Sequence, residues 1–214
     1  MYYYPLRFAA VTFALGASVF VVPARAADSS SNGPHVHAHA TAASLRVSTA
    51  AYSVPDVSLV RDDGKLVLLA REIDDGRPVL LNFVYTTCPG ICPMMSQVFS
   101  QFQDRLGGER KKVHMVSISI DPEQDTPNRL RDYAHKFSAG SQWQHYTGTV
   151  EASVEVQKAF DAYRGDKMSH DPLTLLRAAP GKPWVRVEGF ATADDLFSQY
   201  RHLAGVQVTD TAQR

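Results

Sequence analysis

The sequence predicts an α/β fold in which helices cover both faces of a central mixed β-sheet. Apolar, β-branched runs at 79–85 and 113–120 are typical of buried strands. Segments with helical periodicity alternate with these strands along the chain, which is the pattern of an α/β sandwich. An Asp-Gly turn signal at residues 63 and 64 adds a β-hairpin ahead of the first buried strand.

The elements begin at residue 54, where the composition becomes that of a globular domain. We expect residues 57–60 and 66–69 to pair across the Asp-Gly turn. After the strand at 79–85, apolar residues recur at spacings of three and four and predict a helix from about 93 to 106, ended by Gly107-Gly108. The strand at 113–120 leads into a helix that ends near Phe137, with Asp125 or Thr126 as its cap.

The second half of the chain repeats this alternation. A short strand is expected at 143–147 and a helix at 150–163. Residues 173–176 and 184–187 are expected to pair as strands, and a capping-box pattern at Thr192 opens a last helix over 193–203. This order of elements is a thioredoxin-like sandwich with an added N-terminal β-hairpin.

The first 26 residues have the pattern of a secretory signal peptide. A basic start is followed by an apolar stretch at 8–22 and by the cleavage motif Ala24-Arg25-Ala26. About 15 apolar residues are fewer than a membrane span needs, so we expect cleavage and no stable membrane span, with anchoring as the alternative. The expected location is periplasmic or otherwise exported, with a soluble mature chain.

Composition restricts the class of partner. The whole chain has 22 basic and 22 acidic residues, and removal of residues 1–26 takes away Arg7 and Arg25, which leaves 20 basic residues against 22 acidic ones. A slightly acidic chain without basic clusters argues against binding to nucleic acid. The mature chain is long enough for one domain with a single core. We place this domain at 54–206, followed by a C-terminal tail at 207–214.

Residues 27–53 are predicted to form a disordered leader, because they are rich in Ala, Ser, Thr and His and poor in large aliphatic residues. The leader contains His35, His37 and His39 at alternate positions. Imidazoles spaced in this way can share a borderline metal ion, so these histidines are either an accessory metal-binding arm or part of a solvated polar tail.

The chemistry of the chain is concentrated at its two cysteines, Cys88 and Cys92. Both lie where a predicted strand is followed by a helix, and a helix N-terminus favours a thiolate over a thiol. The three residues between them are one more than in thioredoxin-like dithiols, which leaves room for a metal ion. A structural disulfide would close so short a loop that it would stabilise little, and a redox-active pair remains the alternative.

A soft ion bound by two thiolates needs a further donor, and histidine is a natural one for copper. We expect His114, His135, His145 and His202 to be structural or to face solvent, because they lie within predicted strands or helices. His170 instead precedes the strand at 173–176, in a loop that a thioredoxin-like sheet places beside the cysteines. Methionines could add thioether donors, although Met94 and Met95 are expected to be core residues and Met168 lies near His170.

Three motifs together resemble the Sco/SenC family of copper-handling proteins over about residues 54–204. They are Tyr85-Thr86-Thr87-Cys88-Pro89-Gly90-Ile91-Cys92-Pro93, the segment 116–127 ending in Asp121-Pro122-Glu123-Gln124-Asp125-Thr126-Pro127, and Met168-Ser169-His170. The resemblance implies that Cys88, Cys92 and His170 bind copper, as Cu(I) or Cu(II). It also implies delivery to the CuA site of cytochrome c oxidase, on subunit II, or to another cuproprotein.

The same resemblance places Asp121 near the site, where it would support the ligands or contact a partner; capping of a turn is the alternative role. The leading hypothesis is therefore a copper metallochaperone rather than an enzyme. The alternative is a periplasmic thiol-disulfide oxidoreductase that reduces copper-receiving cysteines or senses redox state, with a thiol-disulfide reductase as its own partner. His170 distinguishes the two functions, because a thiol-disulfide exchange does not need it.

Overall fold

The structure is a computed structural model that describes residues 45–205. The predicted signal peptide at 1–26, the arm with His35, His37 and His39, and the tail at 207–214 lie outside the described residues. The described elements are, in chain order, β1 (Arg46–Ala50), β2 (Ser58–Arg61), β3 (Leu66–Leu68), α1 (Leu69–Ile73), β4 (Val79–Val84), α2 (Ile91–Leu106), β5 (His114–Ser119), α3 (Pro127–Lys136), β6 (Trp143–Thr147), α4 (Val150–Ala159), β7 (Leu173–Arg177), β8 (Trp184–Glu188) and α5 (Ala193–Leu203). Two short 3₁₀ helices lie at Gly107–Lys112 and Lys167–Ser169.

The strands form one mixed sheet in the order β1-β8-β7-β4-β5-β6-β2-β3. Strands β4, β5 and β6 are parallel, and the remaining neighbours are antiparallel. The carboxyl ends of β4, β5 and β6 therefore meet at one end of the sheet, where β7 also begins and β8 ends. We call this the site end, because the cysteines follow β4 there.

Core residues confirm the predicted helices on both faces of the sheet. Along β4, Leu81 and Phe83 pack on the face covered by α1 and α4, where they meet Val156 and Phe160. Leu80 points to the opposite face, and its cluster takes in side chains from α2, α3 and α5, namely Phe99, Phe102, Tyr133, Leu196 and Tyr200. The alternation follows from the two-residue repeat of a strand. The sheet is thus buried on both sides by apolar residues.

The predicted hairpin is present as β2 and β3, in which Leu59 pairs with Val67. The turn is closed by the N–H of Gly64, which donates to the carbonyl of Arg61 at 2.8 Å. Gly64 has φ +87°, a conformation that side-chain-bearing residues adopt at a cost. The Asp-Gly signal therefore predicted this turn correctly.

The prediction of a disordered leader as far as residue 53 is wrong for Arg46–Ala50. These residues form β1, which pairs antiparallel with β8, from Arg46 opposite Glu188 to Ala50 opposite Trp184. The strand lies at the sheet edge, and its side chains are mostly exposed. Main-chain hydrogen bonds to β8 hold the strand in place. Because it does not depend on buried side chains, its sequence lacks the apolar alternation of a half-buried strand. The folded domain thus includes residues before 54.

None of the helices within residues 45–205 is both long and apolar enough to cross a lipid bilayer.

Candidate metal centre

The two cysteines lie at the site end, in the loop from β4 to α2 and in the first turn of α2. Both are free thiols and are buried in a small cluster with Val84 and Tyr85. Helix α2 begins at Ile91, two residues before its predicted start. Its N-cap residue is Gly90, which has no side chain that could accept a hydrogen bond from the first turn. The N–H of Cys92 donates instead to the sulfur of Cys88 at 3.3 Å. Cys88 Sγ thus accepts one of the N–H groups that a helix leaves unpaired at its start.

The two thiols differ in their readiness to ionise. Burial opposes ionisation of Cys88, but hydrogen bonds from the backbone N–H groups of Cys92 and Gly90 outweigh it and lower the pKa of Cys88. Cys92 has 0% of its surface exposed, and burial raises its pKa far above the usual range. Its sulfur accepts one hydrogen bond, from the N–H of Tyr85 at 3.4 Å. Cys88 is therefore the more nucleophilic thiol.

His170 lies in the loop that enters β7, directly after the 3₁₀ helix Lys167–Ser169. That helix is capped by Asp166, whose carboxylate accepts from the N–H of Met168 at 2.8 Å. Burial lowers the pKa of His170, against the effect of a hydrogen bond from its ring to the carbonyl of Phe83 in β4. The ring is therefore neutral near pH 7, the form in which histidine binds a metal ion.

The predicted ligands are neighbours in the fold without forming a closed metal cage. Cys88, Cys92 and His170 all lie at the site end, because His170 precedes β7, which pairs with the strand that leads to Cys88. Within residues 45–205, however, no three His, Cys, Asp or Glu side chains lie close enough together to hold a metal ion. Two thiols and a neutral imidazole are the donor types that copper prefers, so the chemistry of the set suits copper, while binding requires side-chain movement.

Asp121 connects the loop after β5 to the loop of His170. Its carboxylate is largely buried and forms an ion pair with Lys167, with Nζ 2.6 Å from Oδ2. Lys167 also lies over the ring of Tyr85, 5.7 Å from its centroid. Asp121 therefore ties the segment bearing His170 to the sheet. A cleft of about 450 Å³ runs beside these residues, lined by Asp121, Glu123, Lys167 and His170 among others.

Sequence reasoning missed the role of Asp125, which it named only as an alternative to Thr126 for the cap of α3. Thr126 is the cap of α3, and the fully buried carboxylate of Asp125 points into the site end instead. It accepts hydrogen bonds from the hydroxyls of Thr86 and Ser119, both at 2.6 Å, and from the N–H of Thr86. Asp125 thus fixes the first residues of the cysteine loop. Its place in the Asp-Thr-Pro sequence gave no sign of this contact, which spans 39 residues.

The other four histidines within residues 45–205 behave as expected. His114 and His145 are buried in strands, and His145 stacks on Trp143 with ring centroids 5.2 Å apart. His135 and His202 are exposed on helices α3 and α5. Among the methionines, Met95 is buried as predicted, but Met94 is half exposed, so its assignment to the core is wrong. Met94 lies in the first turn of α2.

Comparison with known proteins identifies relatives of this domain. The SCO1/SenC family model matches residues 48–202. A SCO1 protein homolog of Bacillus subtilis is 32% identical over 105 residues, which cover 49% of this chain and 53% of the relative. The chain spans about half the length of the first curated relatives it matches.

Two solved structures have the same fold. Arabidopsis thaliana ScoI, crystallised with copper bound, is 26% identical and superposes with a TM-score of 0.60 over 72% of this chain and 99% of that chain. BsSco, described as a Sco-family cytochrome c oxidase assembly protein with a disulfide switch, is 28% identical with a TM-score of 0.61, over 73% of this chain and 95% of that chain. These likenesses agree with the predicted thioredoxin-like layout. With a family model matched over most of its length, the chain belongs to the SCO1/SenC family.

Proposed function

We propose that this protein is a copper metallochaperone in which Cys88, Cys92 and His170 bind one copper ion. The observation that carries the proposal is the pairing of two free thiols at the start of α2 with a neutral imidazole on the adjoining loop. Thiolates are soft ligands that select Cu(I), and an imidazole lets the site accept Cu(II) as well. The copper-bound relative from Arabidopsis supports the same metal.

The different pKa values of the two thiols would set the order in which the ligands bind copper. Cys88, with its lowered pKa, is the first to supply a thiolate, and the N–H of Cys92 stabilises that charge. The buried Cys92 loses its proton only when the positive ion is at hand, so metal binding releases protons. His170 then completes the site through a nitrogen of its neutral ring. A disulfide between the cysteines would remove both sulfur ligands, so the reduced form is the one that carries copper.

Copper retention tests this ligand set. The reduced exported chain is loaded with Cu(I) without oxygen, separated from excess metal and assayed for copper per chain. We expect one tightly held copper in the wild type and its loss in Cys88→Ser, Cys92→Ser and His170→Ala. His135→Ala is the matched control, because His135 is exposed on α3. Equal retention by His170→Ala and the control would refute the three-ligand site.

We further propose that the copper is delivered to an exported cuproprotein, with the CuA site of cytochrome c oxidase subunit II as the first candidate. The description of BsSco as an oxidase assembly protein and the signal-like sequence at 1–26 support this target and an exported location. The test is transfer from the loaded protein to the reduced CuA domain. Because two Cu(I) ions give a colourless centre, the recovered domain is then oxidised by one electron with ferricyanide. Appearance of the CuA spectrum in an amount that depends on His170 of the donor is expected, and copper kept by the donor would contradict delivery.

A second candidate function is thiol-disulfide exchange, which the unequal thiols favour. A Cys88 of lowered pKa, 9% exposed, beside a fully buried Cys92 of raised pKa is the arrangement of an attacking and a resolving thiol. The Cys88 thiolate would attack a partner disulfide to form a mixed disulfide, and Cys92 would displace the reduced partner. A Cys92→Ser variant should trap that mixed disulfide with an oxidised CuA domain. If only unmodified protein is recovered, this second function is excluded for that partner.

A further inference from the structure

The exposed methionine beside the copper ligands has no role in the function proposed so far. Met168 is 66% exposed and lies two residues before His170, in the 3₁₀ helix Lys167–Ser169. A single exposed apolar side chain is ordinary on a protein surface, so exposure alone indicates nothing. The atoms that surround its sulfur are what distinguish Met168.

Tyr85 connects the Met168 sulfur to the cysteines. Its hydroxyl donates to Met168 Sδ at 3.5 Å, and its backbone N–H donates to Cys92 Sγ at 3.4 Å. Its carbonyl accepts from the N–H of Cys88 at 3.2 Å. One residue thus contacts Met168 and both cysteines. The thioether thus contacts the hydroxyl end of Tyr85, while both cysteines contact its backbone.

The backbone that carries Met168 is held in place. The carboxylate of Asp166 accepts from the Met168 N–H at 2.8 Å, and the Lys167 ammonium pairs with Asp121 at 2.6 Å. The side chain of Met168 can change rotamer while its Cα stays fixed beside Tyr85. Because the side chain is unbranched and has three rotatable bonds, its sulfur can take more than one position on this backbone.

We propose that Met168 binds Cu(I) transiently as the metal enters or leaves the site, a role that rests on the copper-binding function above. A thioether is a soft, uncharged ligand, suited to Cu(I) and weaker than a thiolate. On entry, a bond forms from Met168 Sδ to Cu(I) as a bond to the incoming carrier breaks. The Cys88 thiolate then displaces the thioether. The oxidation state of copper does not change, and Met168 has no proton to lose.

The rate of copper loading tests this role separately from affinity. Cu(I) is supplied as its bis-bicinchoninate complex to the reduced exported chain, and the loss of the coloured complex is followed by stopped flow. Met168→Leu keeps the apolar side chain but removes the sulfur. Met94→Leu is the matched control, because Met94 is 50% exposed in the first turn of α2 and its side chain belongs to another element.

We expect Met168→Leu to slow loading by roughly tenfold, the lower end of what residues around a metal site contribute. Its equilibrium affinity should stay within about threefold of the wild type, because copper finally rests on Cys88, Cys92 and His170. Met94→Leu should load at the wild-type rate. Loading of Met168→Leu at the same rate as the control overturns the inference, as does an equal loss of rate in both variants. A wild type that takes up no copper would instead refute the proposed function itself.

Discussion

Replacement of Asp125 should destabilise the domain through the cysteine loop rather than through its apolar core. The carboxylate is fully buried and accepts from the N–H and hydroxyl of Thr86 and from the hydroxyl of Ser119. Asp125→Ala leaves these donors without an acceptor. Each buried donor left unpaired costs about 1–3 kcal/mol, although the two hydroxyls can rotate to other acceptors. We therefore expect a loss of about 3 kcal/mol in the free energy of unfolding.

Asp125→Asn should cost less, about 1 kcal/mol, because the amide keeps one acceptor oxygen and can donate to a rotated Ser119 hydroxyl. Urea unfolding of the reduced, metal-free chain at pH 7 measures both variants. Asp132→Ala is the control, since Asp132 is exposed on α3, and it should change stability by less than about 0.5 kcal/mol.

A double-mutant cycle locates the effect. Thr86→Val removes the hydroxyl that donates to Asp125 at 2.6 Å, so its cost and that of Asp125→Ala should overlap by about 1 kcal/mol or more. Additive costs, or an Asp125→Ala variant as stable as Asp132→Ala, would refute the role of this carboxylate. Because Thr86 lies two residues before Cys88, Asp125→Ala should also weaken copper binding.

Three other changes have definite expected results. Burial lowers the pKa of His145 to about 3, so the unfolded chain takes up a proton near pH 6.5 while the folded chain does not until about pH 3. The free energy of unfolding should therefore decrease as the pH falls between those values, by up to about 1.4 kcal/mol per pH unit for this group. His145→Phe should remove this contribution to the pH dependence, which urea titrations at pH 4.5 and 7 measure. Lys167→Met leaves the buried Asp121 without its cation and should lower copper affinity about tenfold in a competition assay, whereas Lys182→Met, at an exposed lysine, should not. Thr192→Ala removes the capping box of α5 and should cost about 1 kcal/mol; an unchanged unfolding midpoint would mean that the cap contributes nothing.

The buried strands and the amphipathic helices were predictable because their signals are local. Strands β4 and β5 are buried along their whole length and mostly apolar, as expected for parallel strands covered on both faces. Strand β1 was missed because its side chains are exposed and its partner β8 is distant in sequence. Helix α1 was missed because five residues, with only Leu69 and Ile73 buried, are too few to establish a helical period.

The candidate site was predictable in its residue types and only partly in its geometry. Cys88 and Cys92 are close in sequence, and the strand-to-helix junction determines where they lie. His170 was placed beside them by the order of the strands, since β7 pairs with β4. The contact of Asp125 with Thr86 and that of Lys167 with Asp121 join separate loops. Such contacts depend on tertiary packing, which spacing in one sequence does not encode.

The most direct measurement is the absorption and EPR spectrum of the reduced chain loaded with one equivalent of Cu(II). Two thiolates and one imidazole should give an intense thiolate-to-copper charge-transfer band and hyperfine coupling to a single ligand nitrogen. His170→Ala should lose the nitrogen coupling, and Cys88→Ser or Cys92→Ser should weaken or abolish the band. The same spectra from a variant with Ser at positions 35, 37 and 39 separate the N-terminal histidines from this site. A wild-type spectrum that persists in His170→Ala and disappears in that N-terminal variant would place the nitrogen ligand in the arm and contradict the proposed centre.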